Sequence, residues 1–175
     1  MAVIKKKKGF TIVELIAAVA IILLSLQAVS LAVSAASKMW GISNSKLDVN
    51  TFNISISQNM KNRGRNYIRD IYKATGKSAG STINFYIYFN DNSEIAPYFE
   101  GSLKNADGSL KVIVDSASDF DTCKSYNSGK KYGALVTIKE TMETDNYSVY
   151  EIEVTVWDLL KDGKYKSSSS FYIGG

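Results

Sequence analysis

Hydrophobic side chains follow two patterns along this chain, one continuous and one alternating. From Phe10 to Val33 nearly every residue is apolar or small, and Glu14 is the only charged residue of the run. An α-helix rises about 1.5 Å per residue, so a helix of this length crosses the hydrocarbon core of a bilayer, about 30 Å thick. A helix on a soluble domain needs a polar stripe, which this run lacks. We therefore predict a membrane-spanning helix over residues 10–33.

A second helical pattern follows the apolar run. Residues 34–74 contain no proline, and apolar side chains recur there at helical spacing. They are Met60, Tyr67, Ile68, Ile71 and Tyr72. Two glycines and several small polar residues in 74–81 indicate the helix end. We predict an amphipathic continuation over 34–75, with a bend as an open alternative at 41–45 or 49–57, where the residues are poor helix formers.

Beyond residue 76 the apolar positions alternate with a period of two, which is typical of strands. We predict about four to six antiparallel strands, and we expect Tyr150, Ile152, Val154 and Val156 to share one face. Residues 115–132 are rich in Ser, Asp, Asn and Gly and are predicted to form a long loop. This loop would hold Cys123 as an exposed or half-buried thiol. The predicted strands cover residues 83–89, 110–114, 135–141, 147–157 and a last segment through 171–173.

These elements predict an α+β fold. A long N-terminal α-helix has a protruding hydrophobic half, and its other half packs the face of Met60, Tyr67 and Ile71 on a C-terminal antiparallel β-sheet head. The predicted divisions are a leader at 1–9, a membrane or filament-core helix at 10–33, its amphipathic continuation at 34–75 and the head at 76–175.

Composition removes most catalytic chemistry. The 175 residues include no histidine and one cysteine, which excludes histidine-based catalysis, an intramolecular disulfide and most zinc sites. The acidic residues between Asp115 and Asp121 lack the alternating-oxygen pattern of a calcium loop. We expect a non-enzymatic protein without cofactor or metal.

The positive charge is concentrated at the N-terminus. The chain has 21 Lys and Arg against 17 Asp and Glu, and four of the basic residues are Lys5, Lys6, Lys7 and Lys8. Basic residues beside a membrane span stay in the cytoplasm. We therefore expect a single-pass protein of the cytoplasmic or inner membrane, with its N-terminus inside and everything after about residue 34 across the membrane.

Two ordinary interpretations of this segment leave Glu14 unexplained. A secretory signal has a shorter apolar stretch, although residues 33–36 could pass as its cleavage site, and a plain signal anchor would explain the length. An acid within a membrane segment is costly and is a functional hypothesis by default.

Residues 5–15, Lys-Lys-Lys-Lys-Gly-Phe-Thr-Ile-Val-Glu-Leu, resemble the class III signal of type IV prepilins and type II secretion pseudopilins. That signal is a basic leader ending in Gly, then Phe, then an apolar helix with Glu at its fifth position. The closing hairpin, residues 150–173, more weakly resembles minor pilins of the V type and I-type minor pseudopilins. Unlike many pilins, this chain has neither Pro nor Gly in Leu23–Ala36, so no proline-linked kink is predicted there.

The resemblance implies cleavage between Gly9 and Phe10 by prepilin peptidase and N-methylation of the new Phe10 amine. It also implies that Glu14 pairs with the N-terminal ammonium of a neighbouring subunit during assembly. The implied partners are the peptidase, other pilin subunits, the assembly platform in the membrane, and the membrane itself before assembly. The predicted function is that of a structural subunit, a minor pilin, of a type IV pilus or related filament at the cell surface. The alternative is a single-pass anchored adhesion or binding protein that does not polymerise.

A basic stripe is the remaining candidate site. Lys61, Arg65, Arg69 and Lys73 are spaced by four, which places them on one side of a helix, opposite its apolar face. A solvated helix face explains them, and so does a contact with an acidic neighbouring subunit. We do not expect nucleic acid as the partner.

Overall fold

The computed structural model describes residues 11–78, 80–101, 104–105, 107–144 and 147–174. It contains one long helix and a five-stranded antiparallel sheet, which confirms the predicted α+β fold. The helix α1 spans Ile12–Thr75. The strands are β1 Ile83–Phe89, β2 Ile113–Asp115, β3 Tyr132–Thr144, β4 Tyr147–Asp158 and β5 Lys166–Gly174.

Short helical segments connect the strands. A 3-10 turn Asn92–Glu94 and the helix α2 Ala96–Phe99 follow β1, the helix α3 Phe120–Ser125 precedes β3, and a 3-10 turn Leu159–Lys161 joins β4 to β5. The strand order is β2-β1-β3-β4-β5, and all four pairings are antiparallel. Sheet neighbours are therefore mostly sequence neighbours, as expected when short turns join antiparallel strands.

The chain divides into two compact units, one ending at Ser43 and the other beginning at Asn44. In the first unit, every described residue is helical apart from Thr11 and every side chain is exposed. The second unit holds the sheet and the remaining part of α1.

The core of the second unit lies between α1 and one face of the sheet. As predicted, Met60, Tyr67 and Ile71 are buried there, at 0%, 7% and 1% exposure. The predicted β4 face is also buried. Burying a large apolar side chain stabilises a fold by about 1.5–3 kcal/mol, so this layer supplies much of the free energy that holds α1 on the sheet. The sheet side of this layer is formed by Ile83, Phe85, Ile87, Phe89, Ala134, Val136, Ile138, Tyr150, Ile152, Val154, Val156 and Ile173.

The opposite face of the sheet carries a smaller core that the sequence did not predict. The segment predicted to be a long loop contains the helix α3. Cys123 is fully buried, so the prediction of an exposed or half-buried thiol was wrong. The Asp119 carboxylate accepts from the Thr122 N–H at 2.7 Å and caps this helix. Cys123 packs there within a cluster that also contains Tyr86, Tyr88, Leu135, Trp157 and Leu159.

One residue interrupts α1. Gly64 has φ 65° and ψ −163°, so two helical segments meet there across a kink. A residue with a Cβ rarely adopts this conformation. The helix is continuous through 41–45 and 49–57, where a bend had been an alternative, and through Leu23–Ala36. Met60 and Tyr67 are both buried, so both segments contact the core.

Candidate processing and assembly segment

The first turn of α1 is closed by a reciprocal pair of hydrogen bonds. The Thr11 N–H and hydroxyl donate to Glu14 Oε2 at 2.9 and 3.0 Å, and the Glu14 N–H donates to Thr11 Oγ1 at 3.3 Å. This is a capping box, in which a Thr at the N-cap and a Glu three residues later each satisfy a free N–H group. It explains why the helix begins at Ile12, directly after Thr11.

The capping box leaves Glu14 able to bind a second group. Both hydrogen bonds to its carboxylate end on Oε2, and Oε1 has no partner among the described residues. A carboxylate in hydrocarbon is costly unless it is hydrogen-bonded or paired. Oε2 is therefore satisfied within the chain, while Oε1 is available to a cation from outside it.

Around Glu14 the helix surface is apolar on all sides. The side chains of Ile12, Leu15, Leu24 and Leu31 are at least 60% exposed, and Glu14 is the only charged residue from Thr11 to Ser37. By length and composition, α1 can cross a membrane, and no residue of its most apolar stretch is buried by the rest of the chain. An apolar surface this large is typical of a segment covered by lipid or by another protein.

The predicted cleavage site lies outside the described residues. Gly9, Phe10 and the four lysines Lys5–Lys8 precede the first described residue, Thr11. Of the predicted processing and assembly residues, Glu14 is therefore the one that the structure describes. Thr11, its partner in the capping box, was not among the predicted residues. The pattern Thr-x-x-Glu ahead of an apolar run was the signal that could have identified Thr11.

The comparison with family models identifies the same segment. The prokaryotic N-terminal methylation motif matches residues 4–26, which include the last part of the predicted leader with its four lysines, and Gly9, Phe10 and Glu14. The N-terminal segment thus carries the methylation motif of type IV pilins and pseudopilins, within a helix that by length and composition can span a membrane. Neither the curated proteins nor the solved structures yielded a match to this chain.

The structure separates the basic stripe into two parts. Lys61 lies before the kink at Gly64, whereas Arg65, Arg69 and Lys73 lie after it. The spacing of four from Lys61 to Arg65 therefore does not place both on one helix face. The Lys61 ammonium lies 4.7 Å from the centroid of the Phe171 ring, and Arg65 is half-buried. Arg69 and Lys73 are exposed and spaced by four on a regular helix.

The acidic residues near α3 have structural partners. Asp115 Oδ2 accepts from the Tyr126 hydroxyl at 2.5 Å, and Asp119 caps α3. The bond from Tyr126 lowers the pKa of Asp115. Within the part of the chain that the structure describes, no three His, Cys, Asp or Glu side chains are placed to hold a metal ion.

A polar contact between α1 and β5 was also missed by the sequence analysis. The side-chain amide of Asn53, 2% exposed, donates to the carbonyls of Val154 and Ser167 at 2.8 and 3.1 Å. Its Oδ1 accepts from the Ser169 hydroxyl at 2.6 Å. Asn53 is therefore satisfied on both sides while buried, and it fixes the position of β5 against β4 and α1.

Proposed function

We propose that this chain is a structural subunit, specifically a minor pilin, of a type IV pilus or related pilus-like filament. Prepilin peptidase cleaves it between Gly9 and Phe10, and the Phe10 amine is then methylated. The single observation that carries the proposal is the methylation motif at residues 4–26 at the start of a helix whose most apolar stretch is not buried by the rest of the chain. The weak similarity of the closing hairpin to minor pilins favours a minor over a major subunit.

The geometry of Glu14 supports assembly through the helix. Its Oε1 is available to the Phe10 ammonium of a neighbouring subunit, while Thr11 already satisfies Oε2. Pairing these two groups neutralises two charges that would each be expensive in an apolar filament core. Before assembly, the same helix anchors the subunit in the membrane, with the leader lysines in the cytoplasm.

Mass spectrometry of the N-terminus tests the processing step. We expect a mature chain that begins at methylated Phe10 when the protein is produced with its prepilin peptidase, and an unprocessed chain for Gly9→Leu. A wild-type chain that retains residues 1–9 in the presence of active peptidase contradicts the proposal and favours an anchored adhesion or binding protein that does not polymerise.

Arg69 and Lys73 are the part of the basic stripe that we propose contacts a neighbouring subunit. Both are exposed on the helical segment after Gly64. We expect the double variant Arg69→Glu/Lys73→Glu to be cleaved normally and to enter filaments less than the wild type, because it reverses the charge of this surface. The double charge reversal Lys104→Glu/Lys139→Glu, at two exposed lysines outside α1 and β5, is the control for net charge. Equal incorporation of wild type and the Arg69/Lys73 variant in sheared filaments removes this contact from the proposal.

A further inference from the structure

The strand β5 is a long open edge of the sheet. The other edge strand, β2, has three residues, whereas β5 has nine. Natural proteins protect such edges with charges, prolines or bulges, because free N–H and C=O groups on an edge pair with other chains. From Ser167 to Gly174, β5 contains no charged residue and no proline, and its pairing with β4 shows no register shift.

The hydrogen-bond pattern shows which backbone groups of β5 are free. The Asp158 N–H donates to the Tyr165 carbonyl at 3.0 Å, next to the Trp157–Lys166 pair. Opposed residues of antiparallel strands alternate between exchanging both hydrogen bonds and exchanging none. Ser167 and Ser169 therefore direct their backbone groups toward β4, whereas the alternate residues direct theirs outward. The outward residues are Lys166, Ser168, Ser170 and Tyr172.

A second hydrogen bond fixes the same alternation from the other side of β4. The Leu159 N–H donates to the Lys131 carbonyl at 2.9 Å. The backbone N–H and C=O groups of Leu159 and of every second residue before it therefore point toward β3, and those of Asp158 and of every second residue before it point toward β5. All four outward residues of β5 are exposed, and their backbone groups make no hydrogen bond to any other residue within the described ranges.

Hydrogen bonds between β5 and the side chains of α1 hold this edge in a fixed position. Asn53 bridges β4 and β5, the Ser167 hydroxyl donates to Asn50 Oδ1 at 3.2 Å, and the hydroxyls of Ser57 and Ser169 lie 3.1 Å apart. An edge that is already ordered loses little conformational entropy when another strand pairs with it.

The charge near β5 indicates what the added strand carries. Lys166 is the first residue of β5, Lys161 and Lys164 precede it in the chain, all three are exposed, and no acidic residue occurs from Gly163 to Gly175. A strand that adds antiparallel to β5 ends opposite Lys166. An acidic residue at its C-terminal end would therefore lie opposite Lys166.

A second copy of β5 fits this edge poorly. Contacts of Asn50 with Ser167, Ser57 with Ser169 and Lys61 with Phe171 show that α1 and β5 run in the same direction. Antiparallel pairing of two copies would reverse the direction of one helix relative to the other. A second copy of β5 also carries no acidic residue from Gly163 to Gly175 that could lie opposite Lys166. Only the extracytoplasmic location of the partner rests on the proposed function.

We infer that the free edge of β5 binds an extended segment of a different extracytoplasmic protein, which adds to the sheet as a sixth strand. Backbone hydrogen bonds to Ser168, Ser170 and Tyr172 supply the pairing, and an acidic residue near the end of the added strand contacts Lys166. The added strand has small or β-branched uncharged residues elsewhere, because β5 carries no charged residue from Ser167 to Gly174.

The test uses the full-length chain in detergent and a defined peptide. The probe is a fluorescent, acetylated peptide of alternating threonine and valine that ends in glutamate. Ser170→Pro removes an outward N–H without touching the pairing to β4, Ser170→Ala retains it, and Ser168→Pro is a second edge variant if Ser170→Pro fails to fold. We expect wild type and Ser170→Ala to bind equally, and the proline variant to bind at least about tenfold more weakly, a loss of about 1.4 kcal/mol.

Two further peptides separate edge pairing from nonspecific adhesion. Methylation of alternate peptide nitrogens should abolish binding, and replacing the terminal glutamate with lysine should weaken it. The inference is overturned if the wild type does not bind the first peptide, if the proline variant or the methylated peptide binds as well as its parent, or if sedimentation shows a dimer of this chain that Ser170→Pro abolishes. None of these measurements depends on cleavage or filament assembly, so a negative result would overturn this inference without contradicting the proposed function.

Discussion

At the scale of single residues, a few positions depend on specific contacts with their neighbours. Thr11 and Glu14 satisfy each other at the start of α1. Cys123 and Gly133 form a second pair, because a Cβ on Gly133 would lie 2.6 Å from the Cys123 sulfur. Asn53 is the third case, a buried amide whose partners all lie more than 100 residues away in sequence.

The Thr11 cap should control the first turn of α1. Replacing Thr11 by Val removes the hydroxyl at nearly constant shape, whereas Ser retains it. Loss of an N-cap costs about 0.5–2 kcal/mol, so we expect faster amide hydrogen exchange over residues 12–15 in Thr11→Val and wild-type exchange in Thr11→Ser. Exchange rates are measured by NMR in detergent micelles. If the Val variant exchanges no faster than the Ser variant, the capping box is not a stabilising element.

Close packing between β3 and α3 makes a second prediction. Gly133→Ala places a methyl group against Cys123, and overpacking of this kind costs typically about 1–3 kcal/mol of unfolding free energy. The double variant Gly133→Ala/Cys123→Ala removes the sulfur and should recover most of that loss. Urea unfolding followed by tryptophan fluorescence measures all four members of the cycle. Strictly additive losses would show that the methyl group and the sulfur do not meet.

At the scale of elements, the kink at Gly64 divides α1 into two segments, and both segments contact the sheet core. Residues before it, such as Ile56 and Met60, and residues after it, such as Ile68 and Ile71, are all at most 1% exposed. The sequence showed the apolar spacing but not the change of direction, because a single Gly is also tolerated within a regular helix.

A Cβ at position 64 should therefore destabilise the second unit. We expect Gly64→Ala to lower the free energy of unfolding by about 1–3 kcal/mol, the cost of a strained backbone conformation, although no atom lies within 4 Å of the added Cβ. Asn62→Ala is the control, because Asn62 is an exposed residue with regular helical geometry in the same unit, and there Ala is favoured over Asn. Urea unfolding measures both variants. A Gly64→Ala chain as stable as Asn62→Ala would show that α1 does not require the kink.

At the scale of the whole molecule, the second unit has two cores of unequal size on the two faces of one sheet. The larger core uses α1 and the smaller uses α3. Both faces of β1 are buried, because the Tyr86 and Tyr88 side chains, on the face opposite α1, are only 0% and 7% exposed. The smaller core follows from α3, whose position the sequence could not reveal because a helix of six residues leaves almost no periodic pattern.

The buried ionisable groups of both cores make the fold sensitive to alkali. Burial raises the pKa of the Cys123 thiol to about 11 and those of Tyr72 and Tyr86 to about 12. Each folded-state value lies above the usual one, about 8.5 for Cys and 10 for Tyr, so the unfolded chain loses these protons first. The stabilising effect is complete below about pH 8.5 and declines as the pH rises toward 11–12.

We therefore expect the urea midpoint of unfolding to fall progressively between pH 8.5 and pH 11, with Cys123 responsible for the earliest part of the fall. Unfolding curves of the wild type and Cys123→Ala at pH 7.5, 9, 10 and 11 test this. The variant should start less stable and lose less between pH 8.5 and 10. A wild-type midpoint that stays constant to pH 11 would show that these groups titrate equally in both states.

The sequence by itself determined the features that are local or periodic. The apolar run, the leader motif, the α+β order and the buried faces of α1 and β4 follow from spacing and residue type, because each depends on neighbours within a few positions. Only the tertiary structure decided the burial of Cys123, the function of Asn53 as a bridge between β4 and β5, the kink at Gly64 and the open edge of β5. These depend on contacts between residues far apart in the chain, and such contacts form only when the whole second unit packs.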